Sequence, residues 1–143
     1  MTAKRSRTKG RKESGPFTGI PWVVLDHPDV AGLSGNAFKL LLYLARQFRG
    51  RNNGDLSASY SVLKDAGAFN SRDTIQRAKR ELIDKGIIVQ TREGRFTNPG
   101  GICALYALSW IPIHECGGKL DVEPTTKAPR SFKQGNPSVS RKQ

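Results

Sequence analysis

The sequence predicts a small α+β domain in which helices come first and a β-hairpin follows. Apolar residues recur at three- and four-residue spacing over 35–49 and again over 72–85, as on the buried face of a helix. A shorter helix at 60–66 separates these two. Two runs predicted to be strands, 87–92 and 102–110, come after the last helix, with a glycine- and proline-rich connection between them.

Length and charge predict how the chain is organised. A chain of 143 residues is enough for one domain with extensions. Of the net charge of +12, residues 1–16 contribute +5 and residues 117–143 contribute +4, while residues 17–116 contribute only +3. We therefore expect a domain at 17–116 between a disordered basic arm, 1–16, and a disordered basic tail, 117–143. This charge indicates a polyanionic partner: nucleic acid first, and an anionic membrane surface second.

The motifs of common enzyme classes are missing from the sequence. It contains no phosphate-binding loop, no Gly-x-Ser-x-Gly and no His-Glu-x-x-His. A nuclease centre built from Asp26, His27 and Asp29 is an alternative, but a turn explains these residues equally well. We expect a protein that is not an enzyme and that carries no catalytic residues and no cofactor.

The two cysteines do not predict a metal site. Cys103, Cys116 and His114 could together supply three metal ligands, but the two cysteines do not have the two-residue spacing typical of a metal-binding pair. Cys103 lies on an apolar strand, where we expect it to be a small buried hydrophobic residue. No apolar run reaches 18 residues, and the basic start of the chain lacks the apolar core of a secretory signal. The expected compartment is therefore the cytoplasm, in contact with the nucleoid, and no membrane association is expected.

The first part of the domain is predicted to be extended. The apolar run 17–25 is interrupted by Gly19 and Pro21, which limits it to an edge strand or an extended arm over the core. His27 to Val30 is interpreted as a turn.

The first long helix is predicted over Gly35–Arg49, with Ser34 or Asn36 as its N-cap. Its core stripe consists of Ala37, Leu41, Leu44, Ala45 and Phe48, widened by Leu40, Leu42 and Tyr43. The run 50–54 contains two glycines and ends the helix. Residues 55–57 are predicted to add a short edge strand to the later hairpin.

Two further helices are predicted in close succession. The shorter one covers 60–66, with Ser57 or Ser59 as its N-cap, and Gly67 ends it. Its inward residues are Val62, Leu63 and Ala66. The longer one covers 72–85 between an N-cap at Ser71 and a C-cap at Gly86; its inward residues are Ile75, Ala78 and Leu82. Three helices followed by a two-stranded wing make a winged helix-turn-helix, an architecture that places one helix in a DNA groove.

The outward face of the helix 72–85 is predicted to contact DNA. Arginine can bond guanine O6 and N7, and glutamine can bond adenine, which assigns base contacts to Arg72, Gln76, Arg77 and Arg80. Hydroxyl donors at the helix start and a lysine on its flank are assigned to phosphate: Ser71, Thr74 and Lys79. Asp73 either accepts from cytosine N4 or holds Arg77 one turn on, and we favour the second role. The alternative is the ordinary solvated face of a surface helix.

Two further contacts are predicted outside this helix. Arg92 and Arg95 flank a bend of the wing and are expected to meet the DNA backbone or minor groove, the alternative being a plain exposed turn. The N-terminal arm is expected to make non-specific phosphate contacts, or simply to solubilise the chain. Its basic residues are Lys4, Arg5, Arg7, Lys9, Arg11 and Lys12.

The order of these segments resembles that of bacterial winged helix-turn-helix proteins. The resemblance rests on SGNAFKLLLYLARQFRGRNNG, SVLKDAG, SRDTIQRAKRELIDKGIIVQTREG and ALYALSW. More closely, the chain is similar to small helix-turn-helix domain proteins of bacterial chromosomes, plasmids and phages. In those proteins an Asn-Asn-Gly turn precedes the motif and a Pro-Thr-Lys segment follows the last strand, as Pro124–Lys127 does here. The resemblance covers about residues 20–130 and implies DNA contact by Ser71, Arg72, Thr74, Gln76, Arg77 and Arg80. One departure is the long turn 67–70, with Phe69 where a small residue is common.

The expected function is sequence-specific binding of double-stranded DNA, as a transcriptional regulator of a mobile or phage-like element. A first alternative is a replication-initiation or partition accessory protein that binds origin DNA. A second is a winged module for protein or RNA contact. The expected partner is duplex DNA, with a homodimer and a protein partner for the tails as further expectations.

Overall fold

The computed structural model describes residue 13, residues 15–95 and residues 101–133. The predicted phosphate-binding cations between Lys4 and Lys12, and the part of the predicted tail after residue 133, lie outside these residues. The described part contains five α-helices, three β-strands and one 3-10 helix. They are α1 (Trp22–Leu25), α2 (Pro28–Ala31), α3 (Gly35–Arg46), β1 (Leu56–Ser57), α4 (Tyr60–Asp65), α5 (Arg72–Asp84), β2 (Ile88–Arg92), β3 (Leu105–Leu108) and the 3-10 helix Cys116–Gly118.

Two short helices lie where an extended arm and a turn were predicted. The predicted arm 17–25 is wrong from Trp22 onward, and the predicted turn at His27 to Val30 is wrong from Pro28 onward, whereas residues 17–21 lie in neither a helix nor a strand. Pro21 takes an extended conformation and serves as the N-cap of α1, and Pro28 is the first residue of α2. Proline suits the first position of a helix because that position has no hydrogen bond to lose. The Nδ1 atom of His27 caps α2 by accepting from the backbone N–H of Asp29 at 3.0 Å.

Helix α3 begins as predicted and ends three residues early. Ser34 caps it through its Oγ atom, which accepts from Ala37 N at 3.2 Å. After Arg46 the side-chain amide of Asn52 bonds backbone groups that no longer have helical partners. Asn52 Oδ1 accepts from Arg49 N at 2.6 Å, and Nδ2 donates to Gln47 O at 2.9 Å. The predicted core stripe is buried up to Ala45, whereas Leu42 is 45 % exposed and lies outside it.

The turn between α4 and α5 is part of the core. Gly67 has a φ of +76°, Gly67 N donates to Lys64 O at 2.9 Å and Ala68 N donates to Leu63 O at 3.0 Å. This is the Schellman pattern, which satisfies the last carbonyl groups of a helix. Ala68 and Phe69 are buried, so the extra length of this turn brings an aromatic side chain into the core. Because α4 is short it buries only Leu63, and the predicted inward positions Val62 and Ala66 are exposed.

The three strands form an antiparallel sheet of order β1-β3-β2. Leu56 pairs with Tyr106 and Val89 pairs with Ala107, and a register shift falls between Gln90 and Arg92. The predicted short edge strand is therefore confirmed. Beyond β2 and β3 the hairpin continues through an isolated bridge between Arg95 and Ile102.

Helix α3 packs along α5, and a carboxylate fixes one end of this pairing. Glu81 of α5 accepts from Ser34 twice, from the backbone N–H at 2.9 Å and from Oγ at 2.7 Å. These two hydrogen bonds lower the pKa of Glu81, because they favour its ionised form. Glu81 thereby satisfies a donor at the start of α3 that the helix itself leaves without a partner.

A buried asparagine joins the loop after α3 to the end of β3. Asn53 is fully buried, its Oδ1 atom accepts from Leu108 N at 2.8 Å and its Nδ2 atom donates to Leu108 O at 3.0 Å. Nδ2 also lies within hydrogen-bond distance of the carbonyl oxygens of Ile111 and Pro112. The neighbouring Gly54 carbonyl accepts from the hydroxyl of Thr91 at 2.6 Å.

Residues 119–133, here called the C-terminal strap, lie against the domain, so the prediction of disorder from residue 117 is wrong for this part. Asp121 N donates to Thr91 O at 2.8 Å beside β2. Arg130 donates to Lys85 O at the end of α5 and to the carboxylate of Asp29, at 2.6 and 2.7 Å. Phe132 is buried. A proline- and lysine-rich composition predicts disorder, but these side chains find specific partners in the folded domain.

We expect Asn53→Ala to lower the free energy of unfolding by about 3 kcal/mol, since it removes the partners of buried backbone groups at the end of β3. Urea unfolding followed by circular dichroism measures this. The control is Asn36→Ala, at an exposed position of α3. Equal stability of the two variants would contradict the role of Asn53.

We expect Glu81→Gln to lower the free energy of unfolding by about 1 kcal/mol at about pH 7. The ordinary pKa of the group is 4.5, and its pKa in the folded protein is lower. The advantage of the wild type should therefore be complete above the ordinary pKa and disappear as the pH falls through the lowered one. Urea unfolding at several pH values tests this, with the exposed Glu123→Gln as the control. A difference that does not change with pH would contradict it.

Candidate nucleic-acid interface

Helix α5 has one buried side and one side open to solvent. Ile75, Ala78 and Leu82 are buried against the core, as predicted. The opposite side exposes a row of polar and charged side chains: Asp73, Gln76, Arg77, Arg80 and Asp84. These residues follow helical spacing, so they share one face. Of the four residues predicted to read bases, three therefore lie on the outward face.

The start of α5 is fixed by its own cap. Ser71 Oγ accepts from Thr74 N at 3.3 Å, which makes Ser71 the N-cap of the helix. Both side chains are half-buried. The hydroxyl hydrogens of Ser71 and Thr74 are therefore placed beside the helix N-terminus, where the backbone dipoles favour an anion.

Arg72 and Lys79 occupy the side of α5 that faces the hairpin. They are seven residues apart, two helical turns, and therefore share this side. The guanidinium carbon of Arg72 lies 4.2 Å from the centre of the Tyr60 ring, and Lys79 Nζ lies 5.6 Å from the centre of the Tyr106 ring. Burial lowers the pKa of Lys79, and the nearby Arg80 lowers it further. Both cations are thus set back from the outward face.

A groove of about 520 Å³ separates this side of α5 from the hairpin, and we call it the hairpin groove. The start of α4, α5 and the two sides of the hairpin line it. Its cations are Arg72, Lys79 and Arg95, and its aromatic walls are Tyr60 and Tyr106. No aspartate or glutamate is among its lining residues.

The guanidinium of Arg92 contacts the hairpin itself, and its predicted contact with DNA stays a prediction. Its Nε and Nη2 atoms both donate to the carbonyl oxygen of Cys103, at 3.0 and 2.8 Å. The side chain therefore closes the hairpin across the register shift. Arg95, one bridge further out, is exposed as predicted.

The predicted burial of Cys103 is also wrong. Cys103 is exposed and lines the hairpin groove. The sheet is regular only from Leu105 onward, so Cys103 precedes the part of the strand that the core covers.

A second groove, of about 530 Å³, lies on the other side of the start of α5, and we call it the turn groove. It is lined by the turn 67–71 and by Lys39 of α3 and Lys64 of α4. Lys39 Nζ lies 5.2 Å from the centre of the Phe69 ring. Sequence reasoning missed both lysines. Their position depends on how α3 and α4 meet the turn, and no local pattern reports that.

The favoured pairing of Asp73 with Arg77 is absent. The ion pairs that join described residues involve the acids Asp29, Asp55 and Glu81, and Asp73 is in none of them. Asp73 therefore stands on the outward face without a salt bridge to its own helix.

The group Asp26, His27 and Asp29 supports the fold. His27 caps α2, and its ring packs edge-on against Phe132 with the ring centres 5.3 Å apart. The hydrogen bond from Arg130 holds the pKa of Asp29 below its ordinary value. Within the described ranges, no group of three His, Cys, Asp or Glu side chains has the arrangement of a metal site. Nor does this part of the chain contain a helix both long and apolar enough to span a membrane.

Comparison with known proteins assigns this region to a family. Residues 31–88 match a family model described as a helix-turn-helix domain, a range that runs from the end of α2 to the start of β2 and includes α3, α4 and α5. No curated protein and no solved structure matches the chain. In this range the short helix α4 precedes α5, whose outward face is exposed. The match identifies the chain as a protein with a helix-turn-helix DNA-binding domain at residues 31–88.

Proposed function

We propose that the chain is a sequence-specific double-stranded DNA-binding protein of the winged helix-turn-helix type, with α5 in the major groove and the hairpin as the wing. The observation that carries this proposal is the outward row Gln76, Arg77 and Arg80, which is exposed beside the hairpin while the opposite side of α5 is buried. A helix held by its apolar side can enter a major groove about 12 Å wide without losing its packing.

The chemistry of the outward face suits base edges. Arg77 and Arg80 each carry a planar fork of donors that matches O6 and N7 of guanine, and Gln76 can pair with N6 and N7 of adenine. Asp73 has no salt bridge to Arg77, which leaves its carboxylate to accept from the amino group of cytosine. Mixed charge on this face supports discrimination between sequences, because phosphate alone would repel Asp73.

The hairpin supports a second contact. Arg95 is exposed at the bridge with Ile102, and Arg92 holds the hairpin closed beneath it. A hairpin fixed in this way can present Arg95 to the backbone or minor groove next to the site of α5.

We further propose that the protein regulates transcription of a mobile or phage-like element and binds as a homodimer. The sequence resemblance to small plasmid and phage helix-turn-helix proteins supports the role, and the modest contact area of a single such module supports the dimer. Selection of bound duplexes from a random pool tests both. A consensus with two-fold symmetry supports the dimer, and copies of that consensus near promoters in the genome support the regulatory role. Direct repeats of it clustered at an origin would indicate the replication role.

We expect Arg77→Ala and Arg80→Ala each to weaken binding to the selected duplex by about 5- to 150-fold, the equivalent of one lost bidentate base contact. Fluorescence anisotropy at moderate salt measures the change. The control is Arg51→Ala, which removes an exposed arginine in the loop after α3. If neither variant of α5 differs from the control, α5 does not read DNA.

Removal of residues 1–12 should weaken binding to every sequence by the same factor. This segment holds six basic residues. If all six neutralise phosphates, the slope of log affinity against log salt should fall by about 5, since each contributes about 0.9. Titrations at four salt concentrations measure the slope. A change in sequence preference without a change in slope would contradict this role.

A further inference from the structure

The two grooves lie on opposite sides of α5. Arg72 and Lys79 border the hairpin groove, while Thr74 borders the turn groove. Between them the outward face carries Gln76, Arg77 and Arg80. The helix is thus flanked on both sides by concave, cationic surfaces.

The hairpin groove holds cations that the protein itself does not neutralise. None of the ion pairs among the described residues involves Arg72, Lys79 or Arg95. All aspartate and glutamate residues of the chain are in the described part, so each of them was available to form an ion pair with these cations. An ammonium group that is partly desolvated and has no counter-charge is costly, and an incoming anion recovers that cost.

The aromatic walls set the direction of these cations. Tyr60 lies under the guanidinium of Arg72, and Tyr106 lies under the ammonium of Lys79. Such stacking holds both side chains against the protein, so they point into the hairpin groove and not toward the outward face of α5. A base edge at the outward face of α5 is therefore away from both groups.

The turn groove offers a similar surface on the other side. Its two cations are Lys39 and Lys64, and neither is in an ion pair among the described residues. Asn70, Ser71 and Thr74 add polar side chains beside the N-terminus of α5. This groove also contains no aspartate or glutamate.

We propose that the hairpin groove and the turn groove bind backbone phosphates of the two opposite DNA strands, with Arg72 and Lys79 on one strand and Lys39 on the other. Gln76, Arg77 and Arg80 are then the residues of α5 that read bases, and Arg72 is removed from that set. This inference rests on the proposed insertion of α5 into the major groove.

The dimensions agree with this arrangement. A helix with its side chains is about 10–12 Å across and the major groove is about 12 Å wide, so a strand backbone lies directly on each side of the inserted helix. Phosphates on the two strands therefore approach the two sides of α5, where the two grooves are.

The test uses the selected consensus duplex with one backbone phosphate at a time replaced by an uncharged methylphosphonate. We expect loss of affinity by about tenfold at a few phosphates on each strand. In Lys79→Met one or more of the sensitive positions on one strand should lose their effect, and in Lys39→Met the same should hold on the other strand. Each variant should also reduce the salt slope by about 1 and weaken all sequences equally. The control is Lys127→Met, at an exposed position of the C-terminal strap.

The result that overturns the inference differs from the result that overturns the proposed function. If Arg77→Ala weakens binding but Lys79→Met and Lys39→Met keep the wild-type phosphate profile and slope, the grooves do not hold phosphates. If Arg77→Ala and Arg80→Ala also match the wild type, the proposed function itself fails. Unfolding temperatures of both lysine variants show whether they are folded.

A small phosphorylated molecule presents the same chemistry as a DNA phosphate. In a separate arm, AMP is added to the complex of wild-type protein and duplex at constant ionic strength. Unchanged affinity supports the DNA assignment. A change that is present in the wild type and absent in Lys79→Met would assign the hairpin groove to a small ligand and overturn it.

Discussion

The structure depends on the hydrogen bonds of one buried side chain, Asn53. Its amide accepts from the backbone N–H of Leu108 and donates to the Leu108 carbonyl, as a neighbouring strand would. These bonds come where the pairing of β1 with β3 has ended. The backbone N–H of Asn53 donates to His114 Nδ1 at 3.1 Å, and the His114 N–H donates to Asn53 O at 2.9 Å. One residue therefore connects the loop after α3, the end of the sheet and the segment that leads to the strap. A buried amide with all its partners satisfied specifies one arrangement, because any displacement leaves polar groups unpaired.

This connection explains how α5 is held in position beside the hairpin. Gln47 pairs with Ser57 through both atoms of its amide, at 2.8 Å each, which places β1 beside β3. The sheet in turn holds the hairpin next to α5, and Tyr106 of β3 lies under Lys79. The position of the hairpin groove thus depends on the loop 47–57, although that loop contributes no cation to the groove. Precision at a binding site comes from supporting contacts of this kind.

Local patterns predicted α3, α4, α5 and the three strands but not α1 and α2, and most other differences depend on tertiary contacts. A cap is a local signal, so Ser71 was predicted as an N-cap, and Ser34 and Ser59 were each one of two predicted candidates. The apolar spacing of α5 identified its outward face. The exposure of Cys103 and the closure of Arg92 onto Cys103 depend on the register shift in the hairpin, which strand propensity does not report. Lys39 and Lys64 were missed because the groove that they line forms only where α3, α4 and the turn 67–71 meet. The strap was missed because its composition is typical of disorder, whereas Arg130 and Phe132 pack on residues about a hundred positions earlier.

The contact of Arg130 with Asp29 has a consequence for the order of folding. These residues are 101 positions apart, while the hydrogen bonds between α4 and the turn that follows it join residues within six positions of each other. Local contacts close small loops and form early, whereas a contact across most of the chain costs the entropy of a large loop unless the intervening part is already compact. We therefore expect the strap to dock on a domain that has already formed, with the hydrogen bond from Arg130 to the end of α5 among the last contacts to form. Folding would then proceed from the helix-turn-helix outward, and residues 119–133, whose composition predicts disorder, would complete the described part of the domain.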